Sequence, residues 1–314
     1  MTRGHDTLTS GSGTLDSGHD TLKYGVSLYS YTGDMYTLLT LDDAMAEIAD
    51  LGASGIEILG EGNISDYPTP STRWIDDWHT GLERHGLTAT NYGSWIDSRM
   101  WQHRDLTVDE GVTILRRDLE LASTLGFTTL RPKIGVISMD LKPHPIWEAV
   151  IERVLDRAAE LDIVICPEIH APTPIKHEVV DDYLAFIERT GTDHFRLLID
   201  TGVFQRAATD AHHAGLDEEA QEAGWRRPLA VPMADLVAVL PYVAFVQAKF
   251  FDITEDLTDP HIPWQEIVTT LVEHGYTGYL SSEYEGDRIP YRSLEQVRRQ
   301  HALLRKLERE ARGH

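Results

Sequence analysis

The sequence predicts an α/β fold, a single (β/α)8 barrel (TIM barrel), and three observations support this prediction. Short apolar runs bounded by turn residues recur after residue 23, and segments with helical spacing of apolar residues lie between them. The length of 314 residues suits one barrel of about 250 residues with extensions. Four of the runs end in an acid or an amide, and the carboxyl ends of the strands are where such a barrel has its catalytic residues.

Eight strands are predicted, one for each position of the barrel. They cover residues 24–30, 55–59, 87–93, 128–134, 163–169, 195–200, 243–250 and 279–284. Amphipathic segments suited to helices lie between them, such as 41–52, 108–126, 146–162 and 263–275. This alternation is typical of parallel βαβ units. An open doubly wound sheet is the competing architecture, but no GxGxxG motif follows the first strand.

Two segments lie outside this regular alternation. Residues 1–23 are rich in Gly, Ser and Thr and contain GHDTL twice, so a flexible N-terminal extension is predicted, leaving 24–314 as one catalytic barrel domain. Residues 206–232, after the sixth strand, are too helical and too charged for a simple loop. A helical insertion is predicted there, and a lid, a partner-docking element and a solvated insertion without a role all remain open.

Composition excludes several classes of protein. The chain has 28 basic and 51 acidic residues and a formal net charge of −23, which argues against nucleic acid or an anionic membrane as the main partner. The single cysteine, Cys166, lies in an apolar run and is expected to be buried, and no disulfide can form within the chain. No apolar signal region begins the sequence, and no run approaches the roughly 20 apolar residues of a membrane span, so a cytoplasmic protein is expected.

Four polar residues are expected to meet at the mouth of the barrel. They are Glu168 in ICPEIHAP, Asp200 in LLIDTGVF, Gln247 in FVQAKFFD and Glu283 in YLSSEYEG. Three carboxylates and an amide oxygen at one mouth would repel one another unless a divalent cation lay between them. All-oxygen ligation suits a hard ion such as Mn²⁺ or Mg²⁺. The sequence therefore predicts one divalent metal and an enzyme.

His170 is the candidate catalytic base. It follows Glu168 by two residues, so strand alternation sends both side chains to the same face. The rise of the strand separates them by about 6 to 7 Å, which leaves room for a substrate carbon between base and ion. An imidazole can accept a proton near neutral pH, which a free carboxylate does poorly. A structural histidine, hydrogen-bonded at the rim of the barrel, is the alternative.

Four further residues are candidates for substrate binding. Trp95, in the loop after the third strand, suits a flat or sugar-like face, and packing against a neighbouring loop is the alternative. His261 could contact a sugar hydroxyl or cap its own loop. Lys133 and Lys249 could neutralise a developing enolate or offset the acidic mouth.

Over about residues 24–305 the chain resembles the xylose isomerase-like barrels, which include ketose epimerases, inosose dehydratases and hydroxypyruvate isomerases. Glu168, Asp200 and Glu283 match the metal ligands of that family on strands five, six and eight, and GYTGYLSSEYEG resembles its closing motif. Most members have a histidine where this chain has Gln247, and a second histidine where strand six continues into Thr-Gly-Val. Together with EIH, IDTGVFQ and VQAKFFD, these departures resemble the α subunits of bacterial C-glycoside deglycosidases.

The resemblance implies a metal-dependent carbon–carbon lyase that acts on 3-oxo C-glycosides. In such a reaction His170 would remove the C2 proton, the metal would act as Lewis acid, and the aglycone would be eliminated. A small β subunit in a hetero-oligomer is also implied. A ketose epimerase or isomerase, or an enzyme like inosose dehydratase, would share the first step, with Glu168 and Glu283 available for proton transfer, and this alternative remains open. A non-catalytic sugar-binding subunit, with a closed structural metal site, is the third possibility.

Overall fold

The computed structural model describes residues 22–94, 106–132, 141–210 and 218–313, and within them it confirms the predicted barrel. Nine parallel strand segments form one sheet in the order β5-β4-β3-β2-β1-β9-β8-β7-β6. The segments at the two ends of this order, β5 (Val164–Ile165) and β6 (Glu168–Ile169), both belong to the predicted fifth strand. The sheet therefore closes on itself through this interrupted strand.

Pro167 explains the interruption, because proline has no backbone N–H to donate to a neighbouring strand. Pairing continues on both sides of it. The N–H of Cys166 donates to Leu130 O at 2.8 Å, and the N–H of Leu198 donates to Pro167 O at 3.1 Å. The fifth strand thus joins β4 on one side and β7 on the other.

The strands and helices have the following bounds. The other strands are β1 Lys23–Ser27, β2 Gly55–Leu59, β3 Thr88–Ser94, β4 Thr129–Pro132, β7 Leu197–Asp200, β8 Val243–Phe250 and β9 Tyr279–Tyr284. The helices in the described ranges are α1 Leu41–Asp50, α2 Gly60–Asn63, α3 Thr72–His85, α4 Val108–Thr124, α5 Trp147–Glu160, α6 Glu178–Thr190, α7 Glu218–Gln221, α8 Met233–Val239, α9 Trp264–Glu273 and α10 Arg292–Ala311.

Every predicted strand has a counterpart in the structure, with small differences at the ends. β1 begins at Lys23, one residue before the predicted start of the barrel, because Lys23 pairs with Tyr279 of β9. It ends at Ser27, whose side chain accepts a hydrogen bond from the N–H of Tyr29 and starts a 3-10 turn over Leu28–Tyr31. Within the predicted insertion the structure describes α7 and one π turn, Glu222–Arg226.

The helices pack their apolar faces on the outside of the barrel. Two of them begin with reciprocal capping boxes, Thr40 with Asp43 and Thr107 with Glu110, which satisfy backbone N–H groups at the helix start. Cys166 is fully buried, as predicted, and burial raises the pKa of its thiol to about 12. In the ranges that the structure covers, none of the helices has the length and apolarity needed to traverse a membrane.

Candidate metal centre

The sheet register brings the four predicted ligands together at the carboxyl ends of the strands. Asp200, the last residue of β7, lies opposite Gln247 of β8. Glu283 of β9 lies opposite Lys249, two residues further along β8. Glu168 begins β6, and all four predicted ligands are at most 4% exposed. Interrupted strand five and strands β7 to β9 thus form one buried polar wall.

Part of this wall has the spacing of a metal site. Glu168, His170 and Asp200 each offer one ligand atom, and these atoms all lie within 4.8 Å of one another, so the group could hold a metal ion. His170 Nε2 is 4.0 Å from Asp200 Oδ2. The side chains thus bring the imidazole closer to the ligand oxygens than the strand rise alone predicts, and His170 is placed to act either as base or as ligand.

The ammonium group of Lys249 lies among the same carboxylates. Its Nζ is 2.8 Å from Asp200 Oδ2, 3.2 Å from Glu285 Oε1 and 3.5 Å from Glu283 Oε2. Burial opposes the charge of Lys249, but these acids raise its pKa well above the ordinary value. The side chain therefore stays cationic and pairs with the acidic wall.

The contacts of His170 define which ring nitrogen carries the proton. Nδ1 forms a short hydrogen bond with the carbonyl oxygen of Ala171, and a carbonyl can only accept, so Nδ1 is the protonated nitrogen. Nε2 lies 2.6 Å from Lys249 Nζ, whose ammonium can only donate. Nε2 therefore carries the lone pair, which accepts from the Lys249 ammonium. An imidazole that is unprotonated at Nε2 is the state that a general base requires.

The amide of Gln247 is held with its nitrogen towards two carboxylates. Nε2 donates to Glu57 Oε1 at 2.6 Å and to Glu283 Oε1 at 3.2 Å. Its Oε1 is buried and accepts no hydrogen bond from any described residue. Leaving a buried acceptor unsatisfied costs about 1–3 kcal/mol. A cation at this oxygen would remove that cost.

The charges of the site favour an added cation. Among the described residues, five buried carboxylates (Glu57, Glu168, Asp200, Glu283 and Glu285) surround two cationic side chains (Arg131 and Lys249). Burial raises the pKa of Asp200, and it raises the pKa of Glu283 well above the ordinary value. Such crowding is relieved by positive charge, and carboxylate, amide and imidazole donors fit a divalent ion.

Glu168 differs from its neighbours because a guanidinium offsets its burial. Burial alone would raise the pKa of Glu168, but Arg131, followed by His170 and Lys249, lowers it to about 2. Arg131 makes a short charge-assisted hydrogen bond to Glu168 Oε2. The site therefore contains one strongly ionised carboxylate beside others whose ionisation is opposed.

Several residues of the site were not singled out from the sequence. Glu57 and Arg131 lie inside apolar strands, and Asn91 and Glu285 complete the polar surroundings. The signal that could have found Glu57 and Arg131 is a charged residue within an otherwise apolar run. Glu285 follows Glu283 by two residues, so alternation along the chain also pointed to it.

The remaining predicted residues have different positions. Lys249 lies in the site, as described above. His261 lies between loops, with Nδ1 3.2 Å from Ala207 O and its ring edge against Phe251 at a centroid distance of 5.8 Å. Trp95 and Lys133 lie outside the residues that the structure describes.

Comparison with known proteins identifies the family of the chain. Residues 45–307 match the family described as xylose isomerase-like TIM barrel. The 3'-dehydrocarminate deglycosidase alpha subunit of a Microbacterium species is 26% identical, over 90% of this chain and 94% of the relative. The C-glycoside deglycosidase alpha subunit of Arthrobacter globiformis is 25% identical, over 91% and 92%.

A solved structure shares the fold at lower sequence identity. The D-allulose 3-epimerase from a Methylomonas species superposes with a TM-score of 0.65 at 17% identity, over 91% of this chain and 98% of that chain. The family match spans most of the chain, including every strand from β2 to β9. The chain therefore belongs to the xylose isomerase-like TIM-barrel family.

Proposed function

We propose that the chain is the α subunit of a metal-dependent C-glycoside deglycosidase, a lyase that cleaves the C–C glycosidic bond of a 3-oxo C-glycoside. The observation that carries the proposal is the His170 imidazole, with its lone pair on Nε2, beside carboxylates whose ligand atoms lie within 4.8 Å of one another and of the ring. The names of two relatives, similar over about nine-tenths of the chain, support the substrate class.

One divalent ion would be held by Glu168, Asp200, Gln247 and Glu283, with Mn²⁺ preferred and Mg²⁺ as the alternative. Oxygen donors from carboxylates and an amide suit these hard cations. When bound, the ion supplies Lewis-acid polarisation of the carbonyl of the substrate. Gln247 contributes through its Oε1, which the structure leaves without a hydrogen bond from the described residues.

The side chains of the protein carry the proton transfer. The 3-oxo group acidifies the C2 proton of the sugar, and His170 Nε2 accepts that proton. The electron pair of the broken C–H bond forms the C1–C2 double bond. The C1–aryl bond breaks with its pair moving to the aryl carbon, which then takes up a proton. The hydrogen bond from Nδ1 to the Ala171 carbonyl orients the ring, and the Lys249 ammonium stabilises negative charge developing nearby.

An epimerase or isomerase is the second candidate, and a specific observation favours it. The pKa of Glu283 is raised by burial, whereas that of Glu168 is lowered to about 2 by Arg131 and His170 against the effect of burial. Two carboxylates whose pKa values move apart can act as acid and base on opposite sides of a substrate. In this reaction C2 is reprotonated and no aglycone leaves.

A partner subunit completes the proposal. The curated relatives are named alpha subunits, which implies enzymes of more than one subunit. We expect a small β subunit to associate with this chain in a hetero-oligomer. Trp95, Lys133 and His261 stay candidates for substrate contact, alongside Lys249.

The test uses the purified chain with Mn²⁺ and a 3-oxo C-glucoside, with and without the β subunit, and separates the products by chromatography. The lyase proposal predicts free aglycone that depends on the metal and increases with the partner. The control is the same mixture after chelation of the metal. Formation of an epimerised sugar without aglycone would favour the second candidate and overturn the first.

A further inference from the structure

Glu57 contacts Gln247 of the candidate metal centre and has no part in the proton transfer described above. It is fully buried in β2. Its Oε1 accepts from Asn91 Nδ2 at 2.9 Å and from Gln247 Nε2 at 2.6 Å, and its Oε2 accepts from Ser281 Oγ at 2.8 Å. A buried carboxylate is costly unless it is hydrogen-bonded, so these donors hold Glu57 in one position.

The orientation of the Gln247 amide follows from Glu57. An amide can rotate by half a turn with little change of shape, so its neighbours decide which end is nitrogen. Glu57 Oε1 and Glu283 Oε1 both lie on the Nε2 side, at 2.6 and 3.2 Å. The reverse orientation would bring the amide oxygen against a carboxylate oxygen. Nε2 therefore faces Glu57, and Oε1 faces the side where no described residue donates to it.

Oε1 of Glu57, the atom that contacts Gln247, acts only as a hydrogen-bond acceptor. Two N–H donors meet at its Oε1, which leaves no place for a proton on that oxygen. Asn91 is oriented in turn, because its Oδ1 lies 2.8 Å from the hydroxyl oxygen of Thr129. A chain of hydrogen bonds thus runs from β4 through Asn91 and Glu57 to Gln247 across the inside of the barrel.

We propose that Glu57 is a positioning residue, which holds the Gln247 amide so that Oε1 is available as a ligand of the divalent cation. The inference rests on the metal site given under Proposed function. It assigns to an acid on β2 the task of orienting a ligand on β8, 190 residues away in the sequence. Residues that orient metal ligands commonly contribute about 10- to 100-fold to metal affinity.

The test measures Mn²⁺ affinity of the full-length protein by isothermal titration calorimetry, together with the thermal unfolding midpoint of the metal-free protein. Glu57→Gln replaces the charged acceptor of Gln247 Nε2 by an amide, whose oxygen is a weaker acceptor and whose nitrogen cannot accept at all. Glu57→Asp keeps the charge but shortens the side chain and breaks the contact with Gln247 Nε2. Both variants should bind Mn²⁺ about 10- to 100-fold more weakly than the wild type. If Glu57 contributed only its charge, Glu57→Asp would bind like the wild type, and the inference would be overturned.

A double variant that exchanges the carboxylate of Glu57 and the amide of Gln247 should recover Mn²⁺ affinity, which would not happen if Glu57 only stabilised the fold. In Glu57→Gln/Gln247→Glu, the amide introduced on β2 can donate to the carboxylate introduced on β8, which offers an oxygen in either orientation. We expect its affinity to return to within about tenfold of the wild type. A double variant that binds no better than Glu57→Gln contradicts the inference.

Two further variants keep the test interpretable. Glu308→Gln is the matched control, because Glu308 is also buried but contacts Tyr24 and Leu22, which lie away from the site. The Mn²⁺ affinity of this variant should equal that of the wild type. Ser281→Ala removes one donor to Glu57 without changing charge, and it serves if the Glu57 variants do not fold. It should weaken binding measurably, and an unchanged affinity would contradict the inference.

The wild-type titration separates this inference from the proposed function. If the wild type binds no divalent ion at the site, the proposed metal centre fails and the role of Glu57 fails with it. If the wild type binds Mn²⁺ and both Glu57 variants bind equally well, only the role of Glu57 is overturned.

Discussion

Replacement of Lys249 by Met should strengthen metal binding while it destabilises the metal-free protein. Lys249 is 2% exposed. Its Nζ lies 2.8 Å from Asp200, 3.5 Å from Glu283 and 3.2 Å from Glu285. Two of these acids are proposed ligands of the divalent ion. The lysine therefore competes with the metal for the same oxygens, and methionine removes the charge with little change in length.

The magnitude follows from the burial of the pair. Removing one partner of a buried ion pair leaves an uncompensated charge and costs about 3–5 kcal/mol, so the free energy of unfolding without metal should fall by about that amount. A metal ion would restore part of this loss, and it would no longer be repelled by a neighbouring ammonium. We expect Mn²⁺ affinity to rise at least about tenfold, which corresponds to about 1.4 kcal/mol.

Calorimetric titration with Mn²⁺ gives the affinity of Lys249→Met, and denaturant unfolding with and without Mn²⁺ gives the stability. Lys23→Met is the control, since Lys23 is an exposed cation at the start of β1, with Nζ 5.6 Å from the centroid of the Tyr279 ring. It should leave the affinity unchanged. Weaker or equal Mn²⁺ binding by Lys249→Met would refute the competition between ammonium and metal.

Three other predictions follow from the site and the core. His170→Ala should keep the metal while turnover falls by roughly 10²- to 10⁴-fold, measured in single turnovers of metal-loaded protein, and loss of metal would instead make His170 a ligand. Glu283→Ala should abolish metal and activity together, and unchanged metal content by elemental analysis would contradict its assignment. Burial, followed by the charge of Arg305, lowers the pKa of His301 from 6.5 to about 3. Between these two pH values the histidine is therefore neutral in the folded state and protonated in the unfolded state. The contribution of His301 to the free energy of unfolding should therefore fall by about 1.4 kcal/mol per pH unit between pH 6.5 and about pH 3, and His301→Gln should remove this contribution in denaturation at several pH values.

The barrel and part of the site could be predicted from the sequence because their signals are local. Apolar runs and turn residues mark the strands, and the family closing motif marks β9. Glu168, Asp200 and Glu283 end or nearly end their strands, so the general rule for barrels places them at the mouth. The interruption of strand five could also be inferred, since Pro167 cannot donate to a ladder.

The rest of the site depends on closure of the sheet, which no local pattern records. Glu57 meets Gln247 only because β2 and β8 face each other across the barrel interior. The position of Lys249 among the acids depends on the register of β8 against β9. Spacing along the strand predicted a gap between His170 and the ligands, but the side chains bring Nε2 to 4.0 Å from Asp200 Oδ2.

Anomalous diffraction near the manganese edge, from a crystal of the protein grown with Mn²⁺, would locate the divalent ion directly. We expect one strong anomalous peak, bounded by the carboxylates of Glu168, Asp200 and Glu283 and by Oε1 of Gln247. The absence of a peak among these residues, with Lys249 as the cation that they hold, would contradict the proposed metal centre.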